Sequence, residues 1–310
     1  MGTNHNHSHG HSHNADEVRG KKLLWVTVLN LSITVVQVVG GLVSNSLSLL
    51  SDALHNLGDS SALFIAFIAG KISRKAPNSR RTFGYKRVEI LAALFNAVVL
   101  ISICIFLFFE AYERFMEPKP IKGKLMFWVA IFGLLANLIS VVILNKDKAH
   151  NLNVRAAYLH LMGDTLSSVA VIMGGVAIWV WGIYWIDPLI TVFVGGYIIW
   201  HTWGILKETV EILMQATPAN IDLSEIKNKI ENIEKVNNLH HVHIWKLDDT
   251  SIHFEGHIEV SENMDLESVG ILRKQAEQVL EKNFGIRHIT LQIGYKCCND
   301  GHDLIYKREG

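Results

Sequence analysis

Three cysteines in 310 residues are too few and too unevenly placed for a disulfide framework. Cys104 lies in an apolar run and reads as a small core residue. Cys297 and Cys298 are neighbours near the end; in a reducing compartment they suit free thiols or a soft-metal contact better than a strained bridge. Net charge is also missing, since 29 Lys and Arg balance 29 Asp and Glu. No overall field therefore favours nucleic acid, and the placement of the charges carries the information. The first twenty residues hold no apolar stretch ahead of a small-residue cleavage site. No removable signal peptide is expected, and the first hydrophobic helix would act as the insertion signal.

What is abundant is apolar: 49% of residues are hydrophobic and mean hydropathy is +0.23, too greasy for an ordinary soluble enzyme of this length. Leu23 to Val43 is long enough to cross a bilayer core, which takes about twenty residues. A Ser44-Asn45-Ser46 turn leads to a second span, Leu47 to about Gly70. Four more follow, from about Val88 to Phe109, Leu125 to Leu144, about Ala156 to Ile178, and Pro188 to Leu206. Lys and Arg gather at Arg19, Lys21 and Lys22, between Lys71 and Arg87, and at Lys146, Lys148 and Arg155. The opposite loops hold only Arg114, Lys119, Lys122 and Lys124, diluted by Glu113 and Glu117. The positive-inside rule then places both termini in the cytosol, and Trp179, Trp181, Tyr184 and Trp185 form an outer aromatic belt.

Polar and ionisable residues interrupt two of these spans, where they are expensive and functional by default. In Leu54-His55-Asn56-Leu57-Gly58-Asp59, His55 and Asp59 stand one turn apart on one helix face. Leu159-His160-Leu161-Met162-Gly163-Asp164 repeats the spelling about a hundred residues on. The second and fifth spans run antiparallel. Counted from the outer boundary, Asp59 and Asp164 both lie about fourteen residues deep, or roughly 20 Å at 1.5 Å per residue, so the pairs can meet. Two imidazoles and two carboxylates suit a tetrahedral divalent ion, zinc first, then cobalt or nickel. Structural helix-helix polar contacts would explain either pair alone, but less readily both at matched depth. Asp52, one turn before His55, reads as a supporting acceptor or a proton stop.

Such a site exchanges metal for protons. Histidine binds metal only when neutral and aspartate only when ionised, so proton entry competes with the ion and drives its release. A carrier that opens the site to one side at a time follows.

Outside the spans, His5, His7, His9, His11 and His13 alternate with small polar residues. This composition cannot build a core, so residues 1–20 are expected to be a disordered cytosolic tail that captures metal loosely; a neutral polar tail or an affinity tag is the plainer alternative. Residues 21–214 form the six-helix domain. Residues 215–296 read as a soluble domain in the order αββαβ. A helix capped by Asp222 or Ser224 runs to about Lys235 with Ile226, Ile230 and Ile233 on one stripe. Strands at Val242 to Leu247 and Ile252 to Val260 flank an Asp248–Ser251 turn, then come a helix from Leu266 to Phe284 and a strand from Ile286 to Ile293. Residues 297–310 are a tail with the vicinal cysteines. The fold class is thus an α-helical membrane protein, a six-helix bundle followed by a small α+β domain with helices on one face of a sheet.

The stretch Ser46-Leu47-Ser48-Leu49-Leu50-Ser51-Asp52-Ala53-Leu54-His55 through Asp59, and Phe83-Gly84-Tyr85-Lys86-Arg87-Val88-Glu89 ahead of the third span, resemble the signatures of the cation diffusion facilitator family, close to its bacterial zinc-efflux members. The likeness covers essentially the whole chain. It implies a zinc/proton antiporter of the plasma or inner membrane, with His55, Asp59, His160 and Asp164 as transport ligands and no organic cofactor. It also implies a homodimer joined partly through ferredoxin-like cytosolic domains. His243 and His257 stand at strand positions resembling the family's regulatory zinc ligands, with His240, His241, His253, His288, His302, Cys297 and Cys298 as further candidates. The chain departs from some members in three places. Lys71 to Lys86 holds no His or Asp, only His150 stands between spans four and five, and Gly294 replaces an acidic ligand on the last strand.

Two other classes compete with a carrier. An intramembrane zinc enzyme would need an open coordination position, which four protein ligands do not leave. A membrane-anchored metal sensor would use the tail and cytosolic domain without moving ions, and metal flux into sealed vesicles separates it from a carrier.

Overall fold

The computed structural model describes residues 12–145, 152–296 and 303–304, with side chains described except at 12–27, 59, 63, 144–145 and 152–162. Six long helices come first: α1 (Ser12–Ser44), α2 (Leu47–Ser73), α3 (Arg87–Met116), α4 (Gly123–Asn145), α5 (Leu152–Trp181) and α6 (Ile186–Leu213). They are followed by α7 (Leu223–Glu231), β1 (Val236–Lys246), β2 (Ile252–Val260), α8 (Leu266–Phe284) and β3 (His288–Tyr295). The chain divides into two compact units, one holding Phe95–Gly204 with the chain up to Ile65, the other holding Ala66–Leu94 with everything from Ile205 on.

The first unit contains most of the long helices. Among the described residues, four stretches are long and apolar enough to cross a membrane: Arg87–Met116, Gly123–Ile143, Gly163–Trp181 and Ile186–Leu213. Val28–Ser44 is a shorter apolar stretch. Intrahelical bonding satisfies the backbone of such segments without water. Large apolar side chains point outward, among them Phe106, Phe109, Phe193 and Trp200, which suits lipid rather than water. Small residues let the helices approach. A Cβ added to Gly123 would stand 2.7 Å from the Trp179 backbone nitrogen, and one on Gly175 would stand 3.2 Å from the Phe127 backbone, so glycine permits the close α4–α5 contact.

The helix connections of this unit meet at one end. Asn45 closes α1 in the left-handed region (φ 59), a conformation that asparagine tolerates. Its carbonyl accepts from Arg114 at 2.6 Å, and the Ser44 carbonyl accepts from the Lys122 backbone at 2.9 Å. The α1–α2 turn, the end of α3 and the start of α4 therefore share one end, as alternating crossings require.

In the second unit β1 pairs antiparallel with β2, and β2 pairs parallel with β3 across the α8 crossover, in the order β1-β2-β3. α7 and α8 cover one face, burying Ile226, Ile230, Leu272, Ala276 and Leu280 against Leu239, Ile244, Phe254 and Ile258. Asp222 and Asp265 cap these helices by accepting from Ser224 and Ser268 backbone N–H groups, and Gly285 ends α8 at φ 69, the usual start and stop chemistry. Residues 303–304 lie against β1, where His241 and Val242 donate to the Asp303 and Leu304 carbonyls.

Several boundaries differ from the sequence expectation. α1 already begins at Ser12, so helix reaches into the expected tail; no proline stands between Asn14 and Lys22, and Gly20 is the weakest helix former there. β1 starts at Val236, hidden by the polar Asn237 and Asn238, of which Asn238 accepts from Lys227 at 2.9 Å. α7 stops at Glu231, although Ile233 still packs on the core from the following loop. β3 is shifted to His288–Tyr295.

Candidate metal centre

Two helices of the first unit bring part of the repeated motif together. His55 on α2 and Asp164 on α5 face each other, with Nε2 3.5 Å from Oδ1 and both side chains largely covered, 15% and 3% exposed. Antiparallel packing of two identically spaced pairs sets the histidine of one against the aspartate of the other. Asp59 and His160 lie four residues away on the same helices, but their side chains are outside the described ones. Among the described residues no three His, Cys, Asp or Glu are placed to hold one metal ion.

A polar network braces this contact. Asp52 is buried and accepts from Ser167 of α5 at 2.6 Å and from Gln37 of α1 at 2.8 Å. Asn56 donates to Gln37 at 3.2 Å, and Ser167 also reaches the Asp164 carbonyl at 3.0 Å. The carboxylate thereby ties α1, α2 and α5 together one turn from His55, in the supporting role open to it from sequence. Gln37 was visible only as a polar interruption, and nothing marked Ser167. Nearby helices bury further polar atoms without a protein hydrogen bond: Asn30 Oδ1, Ser51 Oγ, Asn137 Nδ2 and Ser168 Oγ. Such groups are costly in hydrocarbon and belong where water or ions pass.

A second buried carboxylate escaped the sequence reading. Asp187, at the start of α6 and wholly buried, accepts from the backbone of Leu47 and Ser48 at 2.7 and 3.2 Å and from the hydroxyls of Ser46 and Ser48, both at 2.6 Å. The amino end of α2 is capped by another helix.

In the second unit the sheet face opposite the helices carries the histidines, in two groups. A bulge between His240 and His243, with His241 at φ 52, turns extra side chains to one side. His241 then packs on His257 and His243, with ring centres 4.7 and 5.1 Å apart, and His240 meets His257 at 5.6 Å. His288 lies elsewhere: it pairs in register with His253, their rings 4.2 Å apart, while Trp245 stacks on His253 at 5.4 Å and Phe83 meets both imidazoles edge-on. The expected grouping of His243, His257 and His288 is therefore split, because His257 faces Gln292 in the sheet register. Cys297, Cys298 and His302 lie outside the described residues, as do His5, His7, His9, His11 and His150; His13 lies in α1 with its side chain undescribed.

Burial holds the His253 imidazole below its ordinary value, helped by neighbouring His288 and Lys86. His257 is lowered in the same way, by burial and then by His241. At the β1–β2 turn, burial would raise the Asp248 carboxyl, but donors from Ser251, Thr250 and Lys86 outweigh it and hold it at about 2. Lys86 lies 3.2 Å from this carboxylate and also donates to Ser251 at 3.0 Å.

An imidazole-carboxylate contact buried between apolar helices, with a small α+β unit following in sequence, defines an ion-handling membrane protein. The chain belongs to the cation efflux family: residues 23–214 match the cation efflux transmembrane domain, and residues 218–294 match the cytoplasmic domain of cation efflux proteins. It is 38% identical to the zinc transporter ZitB of Pectobacterium atrosepticum over 91% of this chain and 88% of that protein. It is likewise 38% identical to the cadmium, cobalt and zinc/H(+)-K(+) antiporter of Bacillus subtilis, over 98% and 96%. ZitB of Escherichia coli is 37% identical over 92% and 90%.

Proposed function

We propose that this protein exports zinc from the cytosol in exchange for protons, with His55, Asp59, His160 and Asp164 as the transport ligands. The observation that carries this reading is the His55–Asp164 contact at 3.5 Å across α2 and α5, made by one member of each repeated pair. The names of its relatives as zinc transporters support zinc as cargo, and the Bacillus name adds cadmium and cobalt as ions to try.

The four groups take up the dication as neutral imidazoles and ionised carboxylates; protonation from the far side lowers their affinity and releases it. The six long helices serve as six spans of the plasma or inner membrane with both termini cytosolic. The αββαβ unit is ferredoxin-like and joins two copies into a homodimer. On the open sheet face His243 and His257 in one group, His288 in the other, and Cys297 and Cys298 beyond them are candidates for regulatory zinc, and the N-terminal histidines are candidates for loose capture. No enzymatic step and no organic cofactor is needed.

Purified protein in sealed liposomes, given an imposed pH gradient and a panel of zinc, cadmium, cobalt and nickel, tests this reading. Zinc flux that follows the gradient is expected, with protons moving oppositely; zinc binding without flux would favour the sensor alternative.

A further inference from the structure

Asp187 on α6 holds the amino end of α2, the helix that carries His55. Its carboxylate adds a partner from another helix to the cap that Ser46 already gives α2. Two backbone N–H groups and two hydroxyls of α2 and the turn before it point at this carboxylate, and negative charge there also complements the helix dipole. Ser46 reinforces the cap by accepting from Leu49 at 3.2 Å, and Asp187 is secured on α6 by Thr191, which donates to its carbonyl at 2.9 Å. Both ends of the clasp are therefore fixed. Opening it would leave a fully buried carboxylate without partners, which is among the costliest changes a protein interior can undergo.

His55 lies eight residues beyond Leu47, about 12 Å along the axis and a little over two turns. A helix is stiff over that length, so whatever fixes the height and rotation of its first turn also fixes the direction of the His55 imidazole toward Asp164. We propose that Asp187 anchors the first turn of α2, a positioning residue that sets His55 for zinc. The inference rests on the transport reading above and adds a residue and a fixed point to it.

The cradle presents two backbone N–H groups and two hydroxyls; the two carboxylate oxygens accept from all four, whereas an amide has a single accepting oxygen. Asp187→Asn keeps the size but turns an N–H group toward donors, whereas Ser46→Ala with Ser48→Ala keeps the carboxylate and both backbone bonds. Full-length variants in liposomes are to be compared for zinc KM and Vmax, for the visible absorption of bound cobalt, and for thermal stability. Asp187→Asn is expected to raise KM about tenfold, as the loss of a charge-assisted bond would, and to alter the cobalt spectrum. The double serine variant is expected to shift both in the same direction by about threefold in KM. Lower thermal stability with unchanged KM and cobalt spectrum would reduce Asp187 to a structural cap and overturn the proposal. If Asp187→Asn does not fold, unchanged KM and spectrum in the double serine variant overturn it equally. Absence of zinc flux in the unaltered protein would overturn the transport reading instead, so the two failures are distinguishable.

Discussion

The two units of this protein place histidine in opposite company. Between α2 and α5, His55 meets a carboxylate; on the sheet, His253 meets His288, Trp245 and Phe83. A carboxylate supplies the negative charge that a dication or a proton needs. Burial, joined by an imidazole neighbour, instead lowers the His253 pKa. Residue type alone thus does not set a histidine's surroundings: His55 faces an acid, whereas His253 packs among rings.

Removing the acid puts this contrast under the greatest strain. Asp164→Ala is expected to lower zinc flux by more than the roughly 10–100-fold that loss of an outer supporting partner brings, with size-exclusion behaviour unchanged; retained flux would erase the distinction. A step smaller, Asp52→Ala leaves Gln37 without its buried acceptor and is expected to cost about 1–3 kcal/mol, seen as earlier thermal unfolding in detergent. If the melting curve does not move, the brace among α1, α2 and α5 contributes nothing.

On the sheet the expected effects are milder and run with pH. Because the folded His253 has a lowered pKa, the unfolded chain takes up a proton that the folded chain resists. Stability is therefore full above the ordinary histidine value of about 6.5 and declines as pH falls below it. His253→Phe keeps a ring between Trp245 and Phe83 and should flatten this decline in the full chain as pH falls below about 6.5. An unaltered slope would assign the acid sensitivity to other groups. The smallest effect belongs to Lys86→Ala: its ion pair with Asp248 is half exposed on the lysine side, so a stability change below about 1 kcal/mol is expected by chemical denaturation.

The legible parts of the molecule were those written in periodicity and repetition. The apolar runs pointed to the long helices, four of which hold stretches apolar enough to cross a membrane among the described residues, and the strand alternation from Ile252 to Val260 and the helix from Leu266 to Phe284 agree with the structure to the residue. The duplicated spelling around His55 and His160 pointed to α2 and α5, and the described members of the two pairs do meet. Partnerships across distant sequence were not legible. Asp187 sits beside a proline at the head of a helix, where an acid looks like an ordinary first-turn residue. Only the fold shows that its partners are Ser46, Leu47 and Ser48. Gln37 and Ser167 are single polar residues with no local pattern. The split of the histidines depends on a bulge at His241 and on the β2–β3 register, neither of which a strand's composition reveals.

X-ray absorption of one zinc ion bound to the full-length protein, compared with Asp164→Ala, reads the proposed four-ligand site without an intermediate step. Four nitrogen and oxygen neighbours at about 2.0–2.2 Å with two imidazole signatures are expected, and a disrupted shell in the variant. Sulfur neighbours at about 2.3 Å, or a shell indifferent to Asp164, would contradict a site built from the two His-Asp pairs.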